Sequence, residues 1–510
     1  MTQIKFGTDG WRGIIADDFT FENVRLVTQA ICDYLKTKRT KDKGRRAQTK
    51  EISPSFDLRP STFPGVVVGY DTRFLSQEFA KACTEVLVAN DISVYFHEEP
   101  RPTPMVAFAI KAYQAAGAIM FTASHNPAQY NGIKFIPDYA GPATTKITSQ
   151  IEGNIKKIKT ANAKRRPRTS SVSQDKTENI LKSPLVELID PNEQYLDHLK
   201  SLLNFDILQR QKLKVILDPL YGAGQGVMDA LFQAAGCQTE SIHANKDALF
   251  GSMSPDPSYE NLKQLAQEVL KKKADLGLAL DGDGDRFGVV DSNGSYVFPN
   301  QVLALAAVHL LKTKKLKGAI VRSVATTHLL DKIASEYGVD LIETPVGFKH
   351  VGEMMRKKTV VLGGEESAGL SILGHIPEKD GILADLLLAE MSAYEKKPLS
   401  LLLEEIYKQY GYHVTSRMDV NCSDPKKTQF FESLKNNPPA FVGDLRVEKL
   451  DDKDGIKLYL SHQNWVLFRA SGTEPLVRIY VEASSKEYLQ ELKNYSLKLF
   501  KLEDQFEVAR

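Results

Sequence analysis

Short apolar runs alternate with amphipathic stretches along most of this chain. In the first region, apolar and β-branched runs at 66–68, 93–96 and 118–121 predict strands, and the stretches 76–89 and 105–115 predict helices. Strands that alternate with helices in this way are typical of a parallel sheet covered by helices. The pattern therefore predicts an α/β domain at the start of the chain.

The same pattern occurs twice more. A strand at 214–217 and a helix at 227–235 precede a strand at 276–280, and later strands are predicted at 319–323 and 360–362. In all three regions a strand runs into a short polar loop that contains glycine. Ligands of such sheets lie beyond the carboxyl ends of the strands, so we expect these loops to converge on one site.

The alternation of strands and helices ends after about residue 410. Runs at 410–420, 457–459 and 465–468 there predict antiparallel strands. We read this part as a smaller α+β domain. A chain of 510 residues is too long for one core. We predict domains at 1–191, with two basic insertions, and at 192–298, 299–410 and 411–510.

Charge is distributed unevenly. The chain has a net charge of +2, but residues 36–50 and 156–168 carry +7 each, which leaves 2 minus 14, or −12, on the rest. An acidic body disfavours general nucleic-acid binding. We interpret the two tracts as solvated surface insertions, at about 37–63 and 156–190, and a polyanion-binding role is the alternative.

Cysteines and the amino terminus bear on location. The four cysteines are scattered without CxxC spacing, which argues against a disulfide framework or a zinc ribbon. The first residues form no apolar signal region, and no apolar run is long enough to span a membrane. We predict a cytoplasmic protein with no membrane partner.

The strongest chemical signal is the loop after the strand at 276–280. Asp281, Asp283 and Asp285 alternate with glycines, so three carboxylates can face one point, as Mg²⁺ or Ca²⁺ prefers. A calcium EF-hand is excluded because its required Gly and Glu positions hold Arg286 and Ser292. An acidic surface turn is the alternative, but clustered carboxylates repel one another without a cation.

Ser124 follows another apolar strand and has His125 beside it. The G-x-S-x-G hydrolase elbow does not match, because Thr122 and Asn126 stand at its glycine positions. A serine together with an aspartate metal loop instead suits phosphoryl transfer, in which the serine oxygen accepts and releases the group. The glycines at 222, 224 and 226 lack the dinucleotide spacing and predict the start of a helix.

Two further loops are less specific. Residues 469–475, with Arg478 nearby, combine a guanidinium, hydroxyls and a glycine that could surround a phosphate; an ordinary polar turn is the alternative. Glu365 and Ser367 could bind sugar hydroxyls.

These loops, in this order and together with Phe6–Gly13, resemble the α-D-phosphohexomutase superfamily over nearly the whole chain. The resemblance implies a four-domain, heart-shaped enzyme, with three related α/β domains and a smaller α+β C-terminal domain. It implies Mg²⁺ as cofactor, a hexose 1,6-bisphosphate as activator and hexose phosphates as small-molecule partners. The oligomeric state is left open.

The resemblance also implies roles for individual residues. Ser124 would carry the phosphoryl group and bind the metal with the three aspartates, and the other catalytic candidates are Arg12, His125, Lys134, Arg286 and Lys379. Substrate would be bound by Gly347, Lys349, Glu365, Ser367, Arg469, Ser471, Gly472, Thr473 and Arg478.

The identity of the sugar is predicted from one position at which this chain differs from a branch of the family. The bacterial phosphomannomutase/phosphoglucomutase branch has a histidine two residues after the sugar-loop serine, where this chain has Gly369, and residues 375–381 resemble the phosphoglucomutase branch. We expect interconversion of glucose 1-phosphate and glucose 6-phosphate, with mannose phosphates also possible. A glucose-1,6-bisphosphate synthase, a metal phosphatase and a non-catalytic regulatory or binding protein are the alternatives.

Overall fold

The computed structural model describes residues 4–7, 10–48, 64–163, 179–471 and 475–500; for 41–48 and 162–163 it describes the backbone alone. Within these residues the chain forms two compact units. Unit 1 comprises Met1–Val297 and Gly369–Lys396, and unit 2 comprises Phe298–Ala368 and Lys397–Arg510. No helix in the described ranges is both long and apolar enough to cross a membrane.

The strands, in chain order, are β1 (Trp11–Ile14), β2 (Val66–Tyr70), β3 (Val94–His97), β4 (Gly117–Phe121), β5 (Tyr130–Pro137), β6 (Val186–Ile189), β7 (Lys214–Asp218), β8 (Gln238–Ser241), β9 (Leu276–Leu280), β10 (Phe287–Asp291), β11 (Tyr296–Val297), β12 (Ala319–Ser323), β13 (Leu341–Thr344), β14 (Val360–Glu365), β15 (Gly369–Ile372), β16 (Val414–Asn421), β17 (Phe441–Val442), β18 (Leu445–Asp451), β19 (Ile456–Leu460), β20 (Asn464–Ala470) and β21 (Leu476–Ala483).

The α-helices are α1 (Phe21–Gln48), α2 (Ser76–Ala89), α3 (Thr103–Ala112), α4 (Thr145–Ala163), α5 (Asn192–Leu202), α6 (Phe205–Gln211), α7 (Val227–Ala234), α8 (Lys263–Lys272), α9 (Pro299–Val308), α10 (Leu329–Glu336), α11 (Phe348–Lys357), α12 (Gly381–Glu395), α13 (Leu399–Tyr410), α14 (Asp424–Asn436) and α15 (Lys486–Leu499).

Unit 1 contains two sheets. The first has the order β1-β5-β4-β2-β3-β6, with β4, β2, β3 and β6 parallel and β5 antiparallel to both of its neighbours. The second has the order β11-β10-β9-β7-β8, with β8, β7 and β9 parallel. Both central strands, β2 and β9, are buried along their whole length, as parallel strands covered by helices require. The serine loop follows β4 in the first sheet, and the aspartate loop follows β9 in the second.

Helix α12 completes unit 1 after the chain has passed through part of unit 2. Every residue from Gly381 to Ala393 is buried, and the helix packs against α6, β9 and β10. Its mostly apolar residues, together with the buried Asp385 and Glu390, are covered on all sides, as is typical of a core helix. The side chain of Asp380 caps its first turn by accepting a hydrogen bond from Leu383 N at 2.9 Å. This cap fixes the backbone of the preceding residue, Lys379.

Unit 2 combines a parallel arrangement of β13, β12 and β14 with an antiparallel sheet of order β16-β21-β20-β19-β18-β17. A cluster of Val324, Ala325, Trp465, Leu467 and Tyr480 joins the end of β12 to the antiparallel sheet. The core of the antiparallel sheet lies on its other face, under α15.

Two predictions of local structure are wrong. The sequence predicts a strand from residue 410, but Tyr410 ends helix α13 and the strand begins at Val414. It also predicts an insertion that includes residues 186–189, but these form β6, whose pairing with β3 completes the first sheet. The basic tracts are helical where the structure describes them, at the ends of α1 and α4. Residues 49–63 and 164–178 lie outside the described part of the chain.

Candidate active site

Ser124 lies in the loop that joins β4 to β5. Its backbone is in the left-handed region, with φ +54°, and its N–H donates to Thr122 Oγ1 at 2.8 Å. Left-handed backbone is costly for a residue that has a side chain, so the surrounding structure must hold it. The residue is only 2% exposed. The loop therefore presents the serine hydroxyl in one fixed direction.

Arg73 provides that support. The residue is 3% exposed, and its guanidinium pairs with Asp71 at 3.1 Å and lies over the ring of Phe250. Its terminal nitrogens donate to four backbone carbonyls of the serine loop, at 2.6 to 3.0 Å: those of Ser124, Asn126, Pro127 and Tyr130. The planar fork of an arginine suits such multiple donation, and lysine cannot reproduce it.

The three aspartates lie in the loop between β9 and β10, all buried. Asp281, Asp283 and Asp285 each offer a carboxylate oxygen within 4.8 Å of the others. Ser124 Oγ donates to Asp281 Oδ2 at 2.6 Å, across 157 residues of sequence. The structure thus brings together the serine and the aspartate loop that were predicted from separate motifs.

Gly282 makes this approach possible. A Cβ atom at this position would lie 2.6 Å from the carbonyl oxygen of Ser124, closer than real Cβ contacts. The neighbouring Gly284 has φ +69°, which favours glycine. The glycines between the aspartates therefore serve both the tight turn and the contact with the serine loop.

Two lysines face the carboxylates. Lys134 Nζ lies 2.7 Å from Asp283 Oδ2 and 3.0 Å from Asp285 Oδ2, and Lys379 Nζ lies 3.2 Å from Asp285 Oδ2. Burial alone would raise the pKa of Asp285, but Lys134, Lys379 and Arg286 outweigh it and lower that pKa. Burial, followed by repulsion from Asp283 and Asp285, raises the pKa of Asp281 well above its ordinary value.

The aspartate cluster has acceptor capacity left over. Within the described part of the chain, the Oδ1 atoms of Asp283 and Asp285 are buried and have no hydrogen-bond partner. Unpartnered buried carboxylate oxygens are costly, and hard oxygen ligands that converge on one point are what Mg²⁺ requires. The donor set therefore fits a divalent cation held by the three aspartates and Ser124.

The other catalytic candidates of unit 1 surround the serine. Arg12 Nη1 donates to Asn126 Oδ1 at 2.5 Å, and Arg286 N donates to Asp281 Oδ1 at 3.1 Å. His125 Nδ1 lies 3.4 Å from Ser124 Oγ. Burial, with the nearby Arg286 and Arg12, lowers the pKa of His125 well below its ordinary value, so the ring is neutral at physiological pH.

Sequence reasoning missed two residues of this site. One is Arg73, and the other is Thr103, whose hydroxyl donates to Asp283 Oδ2 at 2.5 Å and whose N–H donates to the Asp283 carbonyl at 2.8 Å. The signal for Arg73 was present, because it follows β2 and so lies at the carboxyl edge of the same sheet as Ser124. Thr103 gives no comparable signal, since its partner is 180 residues away.

Lys379 is held by a buried polar chain. Asp380, next to it, accepts from the hydroxyl of Tyr195, and His375 Nε2 lies 3.0 Å from the same carboxylate oxygen. His375 Nδ1 in turn lies 2.9 Å from His198 Nε2. These contacts fix the segment 375–380 and hence the position of Lys379.

The predicted sugar-binding residues lie in unit 2. Glu365 is 3% exposed and accepts from Gly347 N at 2.6 Å, so it fixes the loop between β13 and α11. Gly347 has φ +122°, and Lys349 lies in the first turn of α11. Ser367 is half-buried, two residues after the end of β14.

The predicted phosphate-binding residues also lie in unit 2. Arg469 and Arg478 are directly paired across β20 and β21, which places them side by side on one face. Ser471 N donates to the Leu476 carbonyl at 3.0 Å and closes the hairpin. Gly472 and Thr473 lie outside the described residues.

Family models match this chain in four parts. Those described as phosphoglucomutase/phosphomannomutase alpha/beta/alpha domains I, II and III match residues 3–46 with 56–162, 193–294 and 298–410, and that of the C-terminal domain matches 418–498. The domain I match includes residues 37–46, 56–63 and 156–162 of the two predicted insertions, which were placed at about 37–63 and 156–190. Those segments are therefore shorter than predicted.

Individual relatives agree with these matches. A phosphoglucomutase/phosphomannomutase of Thermococcus kodakarensis is 29% identical over 97% of this chain and 98% of the relative. A relative from Pyrococcus abyssi, assigned as a phosphoglucosamine mutase, is 32% identical over 97% of each chain. The crystal structure of a Thermus thermophilus protein assigned as a phosphomannomutase is 30% identical, with a TM-score of 0.79 over 98% of this chain and 99% of that one.

The fold, the four matched domains and the full-length relatives lead to one conclusion. The matched family models and the named relatives are all hexose-phosphate mutases by their descriptions. Such an enzyme moves a phosphoryl group within its substrate. This chain is an intramolecular phosphotransferase that belongs to the phosphoglucomutase/phosphomannomutase family of α-D-phosphohexomutases.

Proposed function

We propose that this enzyme interconverts glucose 1-phosphate and glucose 6-phosphate through a phosphoserine at Ser124 and a hexose 1,6-bisphosphate intermediate. The observation that carries the proposal is the contact of Ser124 Oγ with Asp281 at 2.6 Å, beside two further buried carboxylates. A nucleophile held by a cation-binding cluster suits phosphoryl transfer better than acyl transfer.

The reaction runs in two halves. In the first, the bond from phosphorus to Ser124 Oγ breaks and a bond forms to the free hydroxyl of the hexose monophosphate, which gives the bisphosphate. In the second, Ser124 Oγ accepts the other phosphoryl group and the monophosphate isomer remains. The hexose bisphosphate also serves as activator, because it can phosphorylate Ser124 in an enzyme that has lost its phosphoryl group.

Side chains of the site have distinct tasks in these steps. Lys134 and Lys379, both on Asp285, are the candidates for removing and returning the hydroxyl proton. Arg12 and Arg286 offer positive charge near the transferred group. Ser124 and the three aspartates would hold Mg²⁺, which would supply electrostatic stabilisation of the phosphoryl charge.

Unit 2 supplies substrate recognition in this proposal. Glu365, Ser367 and the loop of Gly347 and Lys349 bind sugar hydroxyls. Arg469, Ser471, Gly472, Thr473 and Arg478 bind the phosphate that is not transferred. The pairing of Arg469 with Arg478 across two strands supports this role, because two adjacent guanidinium groups suit a dianion.

Glucose is the proposed sugar on two grounds. Gly369 stands where the phosphomannomutase branch has a histidine, and the segment 375–381, which includes Lys379, resembles the phosphoglucomutase branch. The names of the relatives include glucose, mannose and glucosamine phosphates, so the sugar must be tested directly.

The first experiment follows all sugar phosphates and free phosphate by NMR. The enzyme is incubated with Mg²⁺ and glucose 1-phosphate, with and without a catalytic amount of glucose 1,6-bisphosphate. Formation of glucose 6-phosphate supports the mutase. Accumulation of the bisphosphate supports the synthase, and turnover of mannose or glucosamine phosphates alone would contradict the choice of sugar.

Replacing the serine tests the chemistry. Ser124→Ala is expected to abolish turnover and the incorporation of phosphate into the protein, while the circular dichroism spectrum and unfolding temperature stay close to those of the wild type. Ser292→Ala, at a turn of the same unit, is the matched control and should retain full activity. Mutase activity in Ser124→Ala would refute the phosphoserine mechanism.

A further inference from the structure

The turn between β18 and β19 contacts two loops. In the proposed function, one of them binds the sugar and the other binds the phosphate that is not transferred. Oxygen Oδ2 of Asp454 accepts a hydrogen bond from Val346 N at 2.7 Å and another from Arg469 Nε at 3.0 Å. Val346 belongs to the sugar loop between β13 and α11, and Arg469 begins the phosphate-binding loop. One carboxylate oxygen thus joins the two loops.

The sugar loop is fixed from its other side as well. Gly347 N, next to Val346, donates to the buried carboxylate of Glu365 at 2.6 Å. Two successive backbone N–H groups therefore bind two different carboxylates, Glu365 and Asp454. Glycine at 347, with φ +122°, has wide backbone freedom, so the loop depends on these two contacts to keep one conformation.

The turn itself is held independently of Asp454. Lys457, three residues later, is fully buried and donates to the carbonyl oxygen of Val324 at 2.6 Å, at the end of β12. A Cβ atom at Gly455 would lie 2.3 Å from the carbonyl oxygen of Phe468, so the turn lies directly against β20. Removal of the Asp454 side chain should therefore leave the hairpin in place.

We propose that Asp454 is a positioning residue that couples sugar recognition to phosphate recognition. By occupying Nε of Arg469, it orients the planar guanidinium so that the two terminal nitrogens are directed to a phosphate. By binding Val346 N, it sets the distance between that phosphate and the loop that contacts the sugar hydroxyls. A hexose phosphate is then recognised as one unit. This inference rests on the proposed function of the two loops.

The test separates the two kinds of recognition. Asp454→Ala is expected to raise KM for glucose 1-phosphate at least tenfold and the inhibition constant of inorganic phosphate by no more than about threefold. Inorganic phosphate loses only the orientation of Arg469, whereas the hexose phosphate also loses the fixed position of the sugar loop, so KM should rise more than the inhibition constant. Asp454→Glu, which keeps the carboxylate, should recover part of the loss.

Asp452→Ala is the matched control. Asp452 lies in the same turn, in an exposed ion pair with Lys435, and its replacement should leave both constants unchanged. If Asp454→Ala does not fold, Asp454→Asn is measured in its place. If neither variant folds by circular dichroism, Asp454 has a structural role and the proposal is wrong.

The remaining outcomes distinguish this proposal from the one it rests on. An unchanged KM in Asp454→Ala, together with a raised KM in Arg469→Ala, would refute the coupling and leave the phosphate-binding role of Arg469 intact. An equal rise in KM and in the inhibition constant would also refute coupling, because Asp454 would then affect phosphate affinity alone. No effect of Arg469→Ala on either constant would refute the role of the phosphate loop itself.

Discussion

Single residues at this site have partners far away in sequence. Ser124 is held in left-handed backbone by the guanidinium of Arg73, which binds four carbonyl groups of the loop. Thr103 orients Asp283 in a similar way from another loop. The position of the Ser124 hydroxyl is therefore set by side chains to which the proposed function gives no chemical role.

Arg73→Lys tests this dependence. Lysine keeps the charge but cannot donate to four carbonyl groups at once, so the serine loop should shift. Since a displacement of about 1 Å can cost roughly 100-fold in rate, we expect kcat to fall by about that factor with a smaller change in KM. Steady-state kinetics measure kcat and KM of the variant and of the wild type. Arg25→Lys, at a half-exposed ion pair with Glu85, should behave as the wild type; equal losses in both variants would contradict the prediction.

His97 predicts a pH dependence of stability. Burial, followed by the charge of Arg101, lowers the pKa of His97 to about 3, and neither ring nitrogen has a hydrogen-bond partner among the described residues. The unfolded chain binds a proton near pH 6.5, and the folded chain does so only at much lower pH. The free energy of unfolding should therefore fall as the pH falls from 6.5, by up to about 1.4 kcal/mol per unit.

Removing the imidazole should remove this contribution. His97→Leu is expected to weaken the loss of stability between pH 6.5 and pH 4.5 relative to the wild type, as measured by urea unfolding at each pH. His462→Asn, at an exposed histidine with positive φ that asparagine tolerates, is the control and should keep the wild-type slope. Parallel curves for His97→Leu and the wild type would contradict the assignment.

At the scale of elements, loops at strand ends carry the site, and the spacing of backbones decides how closely they approach. The aspartate loop reaches the serine loop because Gly282 has no side chain. Gly153 in α4 is the opposite case, since a Cβ atom there would meet nothing within 4 Å among the described residues. Gly282 thus allows a close contact between two loops, whereas Gly153 allows no contact that alanine would prevent.

Alanine substitutions should separate the two cases. Gly282→Ala is expected to lower kcat/KM by roughly 100-fold or more, because the new Cβ atom must displace the carbonyl of Ser124. Gly153→Ala should leave kcat/KM unchanged and raise the free energy of unfolding by about 1 kcal/mol, as alanine favours helix. Steady-state kinetics measure kcat/KM of both variants, and urea unfolding measures their free energies of unfolding. Full activity in Gly282→Ala would show that the loops need not approach so closely.

The elements also show how far sequence reasoning reaches. The strands at 276–280 and 319–323 and the helix at 76–89 were predicted at the residues where they occur, because apolar runs and amphipathic periods are local signals. Asp281, Asp283 and Asp285 were likewise found from local spacing. The end of α13 at Tyr410 was missed, although Gly411 with φ +88° directly after it is a typical helix end.

Contacts across the chain could not be read from local patterns. Lys379 was assigned through family resemblance alone, and its contact with Asp285 depends on how α12 packs in unit 1. The contact of Asp454 with Val346 N spans 108 residues and involves a backbone group, which leaves no mark in the sequence. Such contacts depend on tertiary packing, which a single sequence does not record.

At the scale of the whole molecule, a bound cation should stabilise one unit and not the other. The three aspartates all belong to unit 1. A ligand that binds the folded state stabilises it by about 2.7 kcal/mol at 100 times its Kd. We therefore expect Mg²⁺ to raise the unfolding temperature of unit 1 in differential scanning calorimetry and to leave that of unit 2 unchanged.

Asp283→Asn should abolish most of this shift, because it removes a buried anionic ligand. Asp206→Asn, at an exposed carboxylate in α6, is the control and should keep it. An equal shift in the Asp283 variant would place the cation elsewhere.

Unit 1 is made of two chain segments that are separated in sequence, and this affects its folding during protein synthesis. The ribosome completes Val297 while α12, which covers β9 and β10, has not yet been made. At 5–20 residues per second, the 99 residues up to Lys396 take roughly 5 to 20 s. During that interval the nascent chain holds the aspartate loop without Lys379 and with an apolar surface of its second sheet uncovered. Completion of unit 1 must therefore wait until residues 298–368 of unit 2 have been translated.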